Sequence, residues 1–219
     1  MTSSTLRAWK WCPSVRSSSV SALRIEGTPY ALLRHLTLPV VALTASEAGR
    51  ANAMIANSAQ RASLVPSVPR VSVYISKANH SHDLVYRSGV LGLHLLRRDQ
   101  WELIWRLGFQ SGRDVDKLAG METATRETGC PLLVDMLSAF DCRVVNAMDA
   151  GAATFFLADV VAYIEGAGGE VMTSEYFRAH MPADKLRIYE ARLAAAMEVL
   201  EPLAGRVDRR VWPGPITRP

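Results

Sequence analysis

Residues 50–82 are rich in small and hydroxyl side chains that could hold a polar ligand. Alanines at five positions (51, 53, 56, 59 and 62) leave the backbone accessible. Between them stand amide and hydroxyl side chains, namely Asn52, Asn57, Ser58, Gln60 and Ser63. Such groups both donate and accept hydrogen bonds, as the edge of a planar polar ligand requires. The segment is a candidate binding site, with an ordinary surface loop as the alternative.

A second group of chemically useful residues follows directly. Lys77, His80, Ser81 and His82 precede or begin a predicted short helix. The amides at a helix N-terminus, with cations beside them, favour a bound phosphate. The alternative is that these side chains are solvated surface.

Arg113 lies in an SGRD sequence and has two interpretations. Its planar guanidinium can hold a phosphate through two hydrogen bonds, which the ammonium of Lys117 cannot do equally well. Alternatively, it forms an ion pair with Asp114 or Asp116 within its own loop.

The cysteines and histidines do not form a metal motif. Cys12, Cys130 and Cys142 are odd in number and widely spaced, without a CxxC pair, which argues against a disulfide framework and a zinc site. His80 and His82 have no HExxH motif beside them. We therefore expect no metal and a reducing, cytoplasmic environment.

The elements that must position these residues are mostly strands. Alternating or continuous apolar runs bounded by turn residues predict strands over residues 38–44, 71–76, 90–96, 140–147 and 154–164. Three helices are predicted. The first spans 83–87 and ends near Gly89, the second begins after Asp99 as its N-cap, and the third spans 183–203. No GxGxxG follows a strand, and strands do not alternate regularly with helices. The pattern favours a mainly β barrel with helical insertions over a doubly wound sheet.

The predicted C-terminal helix is amphipathic. Leu186, Leu193, Met197 and Leu200 recur at helical spacing among charged residues. It could cover a barrel end or contact a dimer partner.

Composition excludes several classes of protein. Apolar residues make up 49% and charged residues 21% of the 219, and no apolar run approaches the roughly 18 residues needed to cross a bilayer. Four of the 25 basic residues and none of the 21 acidic residues lie in residues 1–25, so the remainder is neutral and does not favour nucleic-acid binding. That Ser-rich leader is expected to be disordered. It is either dispensable or a wrongly started N-terminus, or it has a targeting or contact role.

The ordered motifs resemble the FMN-binding signature of the flavin reductase-like family. In that signature a G-x-NAM segment is followed by a Ser-rich segment, a proline turn, a strand and a basic loop before HDL. The matching positions here are Asn52, Ala53, Met54, Ser58, Ser63, Pro66, Lys77, His82, Asp83 and Leu84. The likeness continues in the SGR-x-x-DKF element at 111–118 and the Cys-Arg strand at 142–143, and covers about residues 36–164.

The resemblance implies a split β-barrel homodimer that holds FMN, or FAD, near the subunit interface. Reductases of the family pass a hydride from NADH or NADPH to the flavin and supply reduced flavin to a partner monooxygenase. On this mapping the ring and ribityl chain contact Asn52, Ala53, Met54, Ser58, Ala59, Gln60, Arg61 and Ser63. The phosphate meets Lys77, His80 and Ser81, with Arg113 as a further contact.

The predicted organisation has three parts. A leader spans 1–25, an FMN-binding split-barrel domain spans 26–170, and a C-terminal helix and tail span 171–219. The expected partners are flavin and nicotinamide small molecules, with neither nucleic acid nor membrane.

One family element is absent. Many family reductases have a Gly-Asp-His element whose histidine is associated with nicotinamide binding, whereas this chain has AGAAT from Ala150 to Thr154. Arg61 also replaces a small hydroxyl residue, and either stabilises an anionic reduced flavin or points to solvent. Three functions stay open: an NAD(P)H-dependent FMN reductase, a flavin-binding module or flavoprotein with another donor or substrate, and a barrel without cofactor.

Overall fold

A computed structural model describes residue 36 and residues 38–216. The predicted leader at residues 1–25 lies outside these described residues. In the described part, none of the helices combines the length and apolar composition needed to cross a membrane.

Most of the described chain is β-structure. Its strands, in chain order, are β1 (Val41–Glu47), β2 (Arg50–Ala56), β3 (Gln60–Arg61), β4 (Arg70–Ser76), β5 (Val90–Leu95), β6 (Thr123–Ala124), β7 (Leu132–Leu133), β8 (Ser138–Asp149) and β9 (Ala153–Glu165). Seven of them form an antiparallel sheet in the order β2-β1-β5-β8-β9-β4-β3, and β6 pairs with β7.

The sheet must curl, because residues 57–59 alone join β2 and β3 at its two ends. In a flat sheet the outer strands of seven would lie about 29 Å apart, at about 4.8 Å per spacing. The four steps from Ala56 to Gln60 span at most about 14 Å. The two ends therefore approach each other, and the predicted split β-barrel is confirmed.

Four helices accompany the sheet in the described region. They are α1 (His80–Ser88), α2 (Trp101–Gly108), α3 (Ser174–His180) and α4 (Ala183–Ala204). Helix α1 ends as predicted at Gly89, whose φ of 69° is the left-handed conformation that glycine adopts without strain. It packs against β1, β2 and β4, and thus fills the gap between the two ends of the sheet.

The predicted N-cap of the second helix was wrong. The N-cap residue of α2 is Gln100, and its side chain makes no cap hydrogen bond. The carboxylate of Asp99 instead accepts a hydrogen bond from Arg97 Nε at 3.2 Å. Competition from this nearby guanidinium explains why a good capping residue does not cap.

Strand β1 lies between two hydrophobic cores. Val41, Leu43 and Ala45 belong to the core inside the barrel, whereas Val40 and Ala42 belong to a second core against α2 and α3. Because neighbouring side chains of a strand point to opposite faces, a strand buried on both faces must be continuously apolar. This explains the uninterrupted apolar run in the sequence.

His94 of β5 ties these layers together as a neutral histidine. Its Nε2 accepts a hydrogen bond from the Leu133 amide at 3.0 Å, so Nδ1 carries the proton and donates it to the Ala42 carbonyl at 3.1 Å. The ring is fully buried. Burial lowers the pKa of His94 to about 4, although the Ala42 hydrogen bond acts in the opposite direction.

We expect His94 to make the fold sensitive to acid. In the unfolded chain the imidazole binds a proton below about pH 6.5, whereas in the folded protein it stays neutral down to about pH 4. The free energy of unfolding therefore decreases by about 3 kcal/mol as the pH is lowered from about 6.5 to about 4. His94→Gln keeps a donor and an acceptor but does not titrate. Denaturant unfolding of both proteins at several pH values measures the difference. An equal pH dependence in the two would contradict the assignment.

Candidate functional site

Three segments distant in sequence meet beside the start of α1. The Nδ2 atom of Asn52 in β2 donates to the Ser81 hydroxyl at 2.8 Å, and both side chains are buried. Gly112, in the loop after α2, lies against the same amide, and a Cβ at this position would overlap Asn52 Oδ1. Any larger residue at 112 would therefore displace Asn52, and this loop would no longer fit against β2.

Arg113 follows Gly112 and reaches the segment that leads into α1. Its Nη1 donates to the Ala78 carbonyl at 3.1 Å. Asp114 and Asp116 belong to the described residues, and Arg113 forms no ion pair with either of them. The guanidinium therefore lies beside the helix N-terminus and is not held by a carboxylate of its own loop.

His80 reports the electrostatics of this region. Partial burial lowers its pKa, and the positive charges of Arg113, Arg50 and Lys117 lower it further, against an opposing effect of Asp83. We call His80 together with Arg50, Arg113 and Lys117, whose positive charges act on it, the cationic cluster. The N-cap residue Asn79 makes no side-chain cap hydrogen bond. Positive side chains and uncapped helix amides together favour an anion here.

Lys77 is directed elsewhere. Its Nζ lies 2.5 Å from Asp149 Oδ2, and its amide donates to the Ala152 carbonyl at 3.0 Å, at the turn between β8 and β9. Burial opposes ionisation of Asp149, but hydrogen bonds from Lys77 and from the amides of Gly151 and Asp208 outweigh it, so its pKa is lowered. The structure thus brings His80, Ser81 and Arg113 together but pairs Lys77 with a carboxylate.

The remaining predicted flavin contacts fall into three groups: buried apolar side chains, exposed polar side chains and two serines. Ala53, Met54 and Ala59 are buried, so their side chains belong to the protein interior. Gln60 and Arg61 are exposed in the short edge strand β3, opposite Ser72 and Val71 of β4.

The two predicted serines make local contacts. Ser58 Oγ donates to the Tyr74 carbonyl at 2.6 Å, and Ser63 Oγ accepts from the Val65 amide at 3.1 Å. Of the predicted segment 58–63, Gln60 and Arg61 therefore offer the most accessible polar side chains.

The turn between β8 and β9, where the family histidine is absent, is covered by the C-terminal part of the chain. Gly151 has a φ of 78°, and a Cβ there would overlap the Ala204 carbonyl oxygen. Beyond α4, the Trp212 indole donates to the Tyr86 carbonyl at 3.4 Å. A cavity of about 300 Å³ remains beside the turn, lined by residues that include Tyr86, Asp149, Thr154, Arg210 and Trp212.

The motif comparison included His82 without assigning it a role, and the structure shows that its contacts are with other parts of the fold. Its Nε2 lies 2.8 Å from the Thr154 hydroxyl, and its Nδ1 lies 3.0 Å from Asp83 Oδ1. The ring is buried and joins α1 to β9. Its place in the motif therefore reflects the attachment of the helix to the sheet.

Comparison with known proteins identifies the family. The family model described as "Flavin reductase like domain" matches residues 33–183. The chain belongs to this family. A putative flavin reductase from Haemophilus somnus has the same fold, with a TM-score of 0.60 at 18% identity, over 69% of this chain and 94% of that one.

Curated relatives match over part of their length. The high molecular weight rubredoxin of Moorella thermoacetica is 31% identical over a match that covers 66% of this chain and 63% of that protein. The FMN reductase (NADH) RutF of Ancylobacter novellus is 29% identical over 49% of this chain and 59% of its own length.

The residues of the site fit the flavin nucleotides of this family. The cationic cluster and the α1 N-terminus suit a phosphate, and the exposed polar side chains of Gln60 and Arg61 suit a polar ring edge. The fit is best at the phosphate end, where several positive groups converge.

Lys117 positions this site from beneath. It is 5% exposed, and its Nζ donates to the carbonyls of Ala53 at 2.9 Å and Leu107 at 2.7 Å. Burial, and to a smaller extent Arg192, lowers its pKa to about 8. Arg106 Nε in turn donates to the Lys117 carbonyl at 2.8 Å. Lys117 therefore holds β2, α2 and the Arg113 loop in one arrangement.

We expect Lys117→Met to lower the free energy of unfolding at neutral pH by about 1–3 kcal/mol, because two buried carbonyls lose a donor. Since the folded pKa is near 8 and the unfolded pKa near 10.4, only the unfolded state holds the proton between these values. The free energy of unfolding of the wild type should therefore increase from about pH 8 to 10, and Lys117→Met should lack this increase. Urea unfolding at several pH values, with exposed Arg126→Met as control, measures both effects. Identical curves for Lys117→Met and wild type would refute this role.

We expect FMN, but not riboflavin, to raise the pKa of His80. A phosphate near His80 favours the imidazolium form, and riboflavin lacks the phosphate. Histidine NMR titration of the free, FMN-bound and riboflavin-bound protein measures this, with His80→Asn identifying the signal. Equal shifts with both ligands, or none with FMN, would place the phosphate elsewhere.

Proposed function

We propose that this chain binds FMN, or FAD in its place, and is an NAD(P)H-dependent flavin reductase that supplies reduced flavin to a partner monooxygenase. The observation that carries the proposal is the cationic cluster at the start of α1, in a member of the flavin reductase-like family. A barrel without a cofactor has no need to gather these charges against their mutual repulsion.

Each part of the site has a binding or orienting role in this proposal. Arg113, His80 and the first amides of α1 bind the phosphate, and Asn52 holds Ser81 and the Gly112 loop in place. Bound flavin supplies the hydride-accepting chemistry, while the protein orients it and limits its contact with water. Arg61, exposed at the sheet edge, either balances negative charge on the ring or stays in solvent.

A second function has specific support. The turn at residues 150–153 has no imidazole, and the carbonyls of Leu203 and Ala204 lie against Gly151. This combination favours a flavoprotein, or a flavin-binding module, that takes electrons from another donor and does not oxidise NAD(P)H. Flavin binding is common to both functions, whereas nicotinamide use distinguishes them.

The anaerobic visible spectrum of FMN-loaded protein separates the two functions. A reductase should lose its flavin absorbance rapidly after NADH or NADPH is added. Arg113→Ala should weaken FMN binding about tenfold to a hundredfold, because a charge-assisted hydrogen bond to the phosphate is lost, with little effect on riboflavin. Arg126→Ala, an exposed arginine outside the cluster, is the control.

The outcomes are distinct. A protein that binds FMN but stays yellow with both nucleotides has the second function. One that binds no flavin has neither.

The resemblance also carries the proposals of a homodimer and a cytoplasmic location. The free, buried thiols of Cys130 and Cys142 are compatible with a reducing compartment. Burial raises the pKa of both, to about 11 for Cys130, so neither is a reactive thiolate at neutral pH.

A further inference from the structure

The cavity beside the turn between β8 and β9 is enclosed on one side by the segment that follows α4, and we call it the tail cavity. The barrel side contributes Tyr86, Ala147, Asp149 and Thr154, whereas the other lining residues are 208 and 210–213. These lie well beyond residue 183, where the family match ends. Small-molecule sites usually have volumes of about 300 to 1,000 Å³, so a cavity of about 300 Å³ suits a compound of one ring or two.

Two aromatic rings give the tail cavity its apolar character. Tyr86 of α1 and Trp212 of the tail meet edge to face, with ring centroids 6.4 Å apart and an interplanar angle of 70°. The hydrogen bond from the Trp212 indole to the Tyr86 carbonyl fixes this arrangement, and the Ile216 amide donates to the Arg87 carbonyl at 2.8 Å a little further along α1. The tail is thus attached to the helix on one side of the cavity, and the flat apolar walls suit an aromatic ring.

The carboxylates that line the tail cavity already accept hydrogen bonds from the protein. Asp149 accepts from Lys77 Nζ at 2.5 Å and from the Gly151 amide at 2.6 Å. Asp208 accepts from the Arg210 amide at 3.0 Å, and its two oxygens accept from Nε and Nη2 of the same arginine. Because both carboxylates are paired with a cation, the lining does not favour a cationic ligand.

Two donors of the lining are still available. The Tyr86 hydroxyl and Arg210 Nη1 form no hydrogen bond with any other described residue. The two groups are near each other, since Asp208 raises the pKa of Arg210 most strongly and Tyr86 acts on it in the same direction. A phenol O–H and a guanidinium N–H that lie close together can each donate to one oxygen of a carboxylate.

We propose that the tail cavity binds a small aromatic carboxylate, with its ring against Trp212 and its oxygens on the Tyr86 hydroxyl and the Arg210 guanidinium. The proposal does not depend on flavin binding. Tyr86 is six residues beyond His80 in α1, which is about 9 Å along a helix axis, so the tail cavity and the cationic cluster are different sites.

The test measures the binding of benzoate to the full chain by isothermal titration calorimetry, with and without FMN. Wild type should bind benzoate with a Kd of about 1 mM or lower, and FMN should not compete. Arg210→Gln should weaken binding at least about tenfold, because a charge-assisted hydrogen bond is lost. Tyr86→Phe removes only the hydroxyl and should weaken binding about threefold to tenfold. Benzamide has the shape of benzoate without its charge, and should bind wild type at least about tenfold more weakly.

Two further variants are controls. Arg209→Gln removes the same charge at the neighbouring position, which does not line the tail cavity, and Arg113→Ala changes the cationic cluster. Both should bind benzoate as wild type does, and circular dichroism establishes that every variant is folded.

Four results would overturn the proposal. They are no binding of benzoate to wild type, equal affinities of wild type and Arg210→Gln, and equal affinities for benzoate and benzamide. The fourth is loss of binding in Arg113→Ala or competition by FMN, either of which would place benzoate at the cationic cluster. A chain that binds benzoate but no FMN would keep this proposal and lose the proposed flavin function.

Discussion

The three-residue connection between β2 and β3 constrains the whole molecule, because it joins the two ends of a seven-stranded sheet. With the ends brought together, a gap remains between β2 on one side and β4 on the other, and α1 occupies it. The candidate site lies where this helix begins. Asn52 and Ser81 are 29 residues apart in sequence, yet their hydrogen bond forms across this gap. The closed arrangement of the barrel therefore also brings the residues of the candidate site together.

The positive charge that favours an anion at the start of α1 is a local property of the fold. The chain outside its leader carries equal numbers of acidic and basic residues, so net charge does not draw anions to it. Arg50, His80 and the loop that carries both Arg113 and Lys117 belong to three different segments, and folding alone brings them near one another. The positive charges of Arg50, Arg113 and Lys117 disfavour the imidazolium form of His80, which a bound phosphate would favour.

The sequence predicted what depends on local pattern. Strand alternation, the apolar β1 run and the glycine that ends α1 all follow from residues close in the chain. Side-chain partners did not, because Lys77 pairs with Asp149 at a separation of 72 residues and Lys117 reaches Ala53 at 64. Residue type suggested a phosphate ligand for Lys77, but only the fold shows the carboxylate that faces it. Asp99 is of a type favoured as an N-cap, but its carboxylate accepts a hydrogen bond from Arg97, two residues away, and does not cap α2.

The position of α1 also affects how this protein would aggregate after partial unfolding. Because the helix covers the seam, its loss would uncover unpaired backbone along the outer edges of β2 and of the strands at the opposite end. Open strand edges are templates for pairing with other chains. A partly unfolded molecule that keeps most of its sheet would therefore be more prone to aggregate than a fully unfolded one. Ligands that bind at the start of α1 would act as stabilisers against precipitation, whatever reaction the site performs.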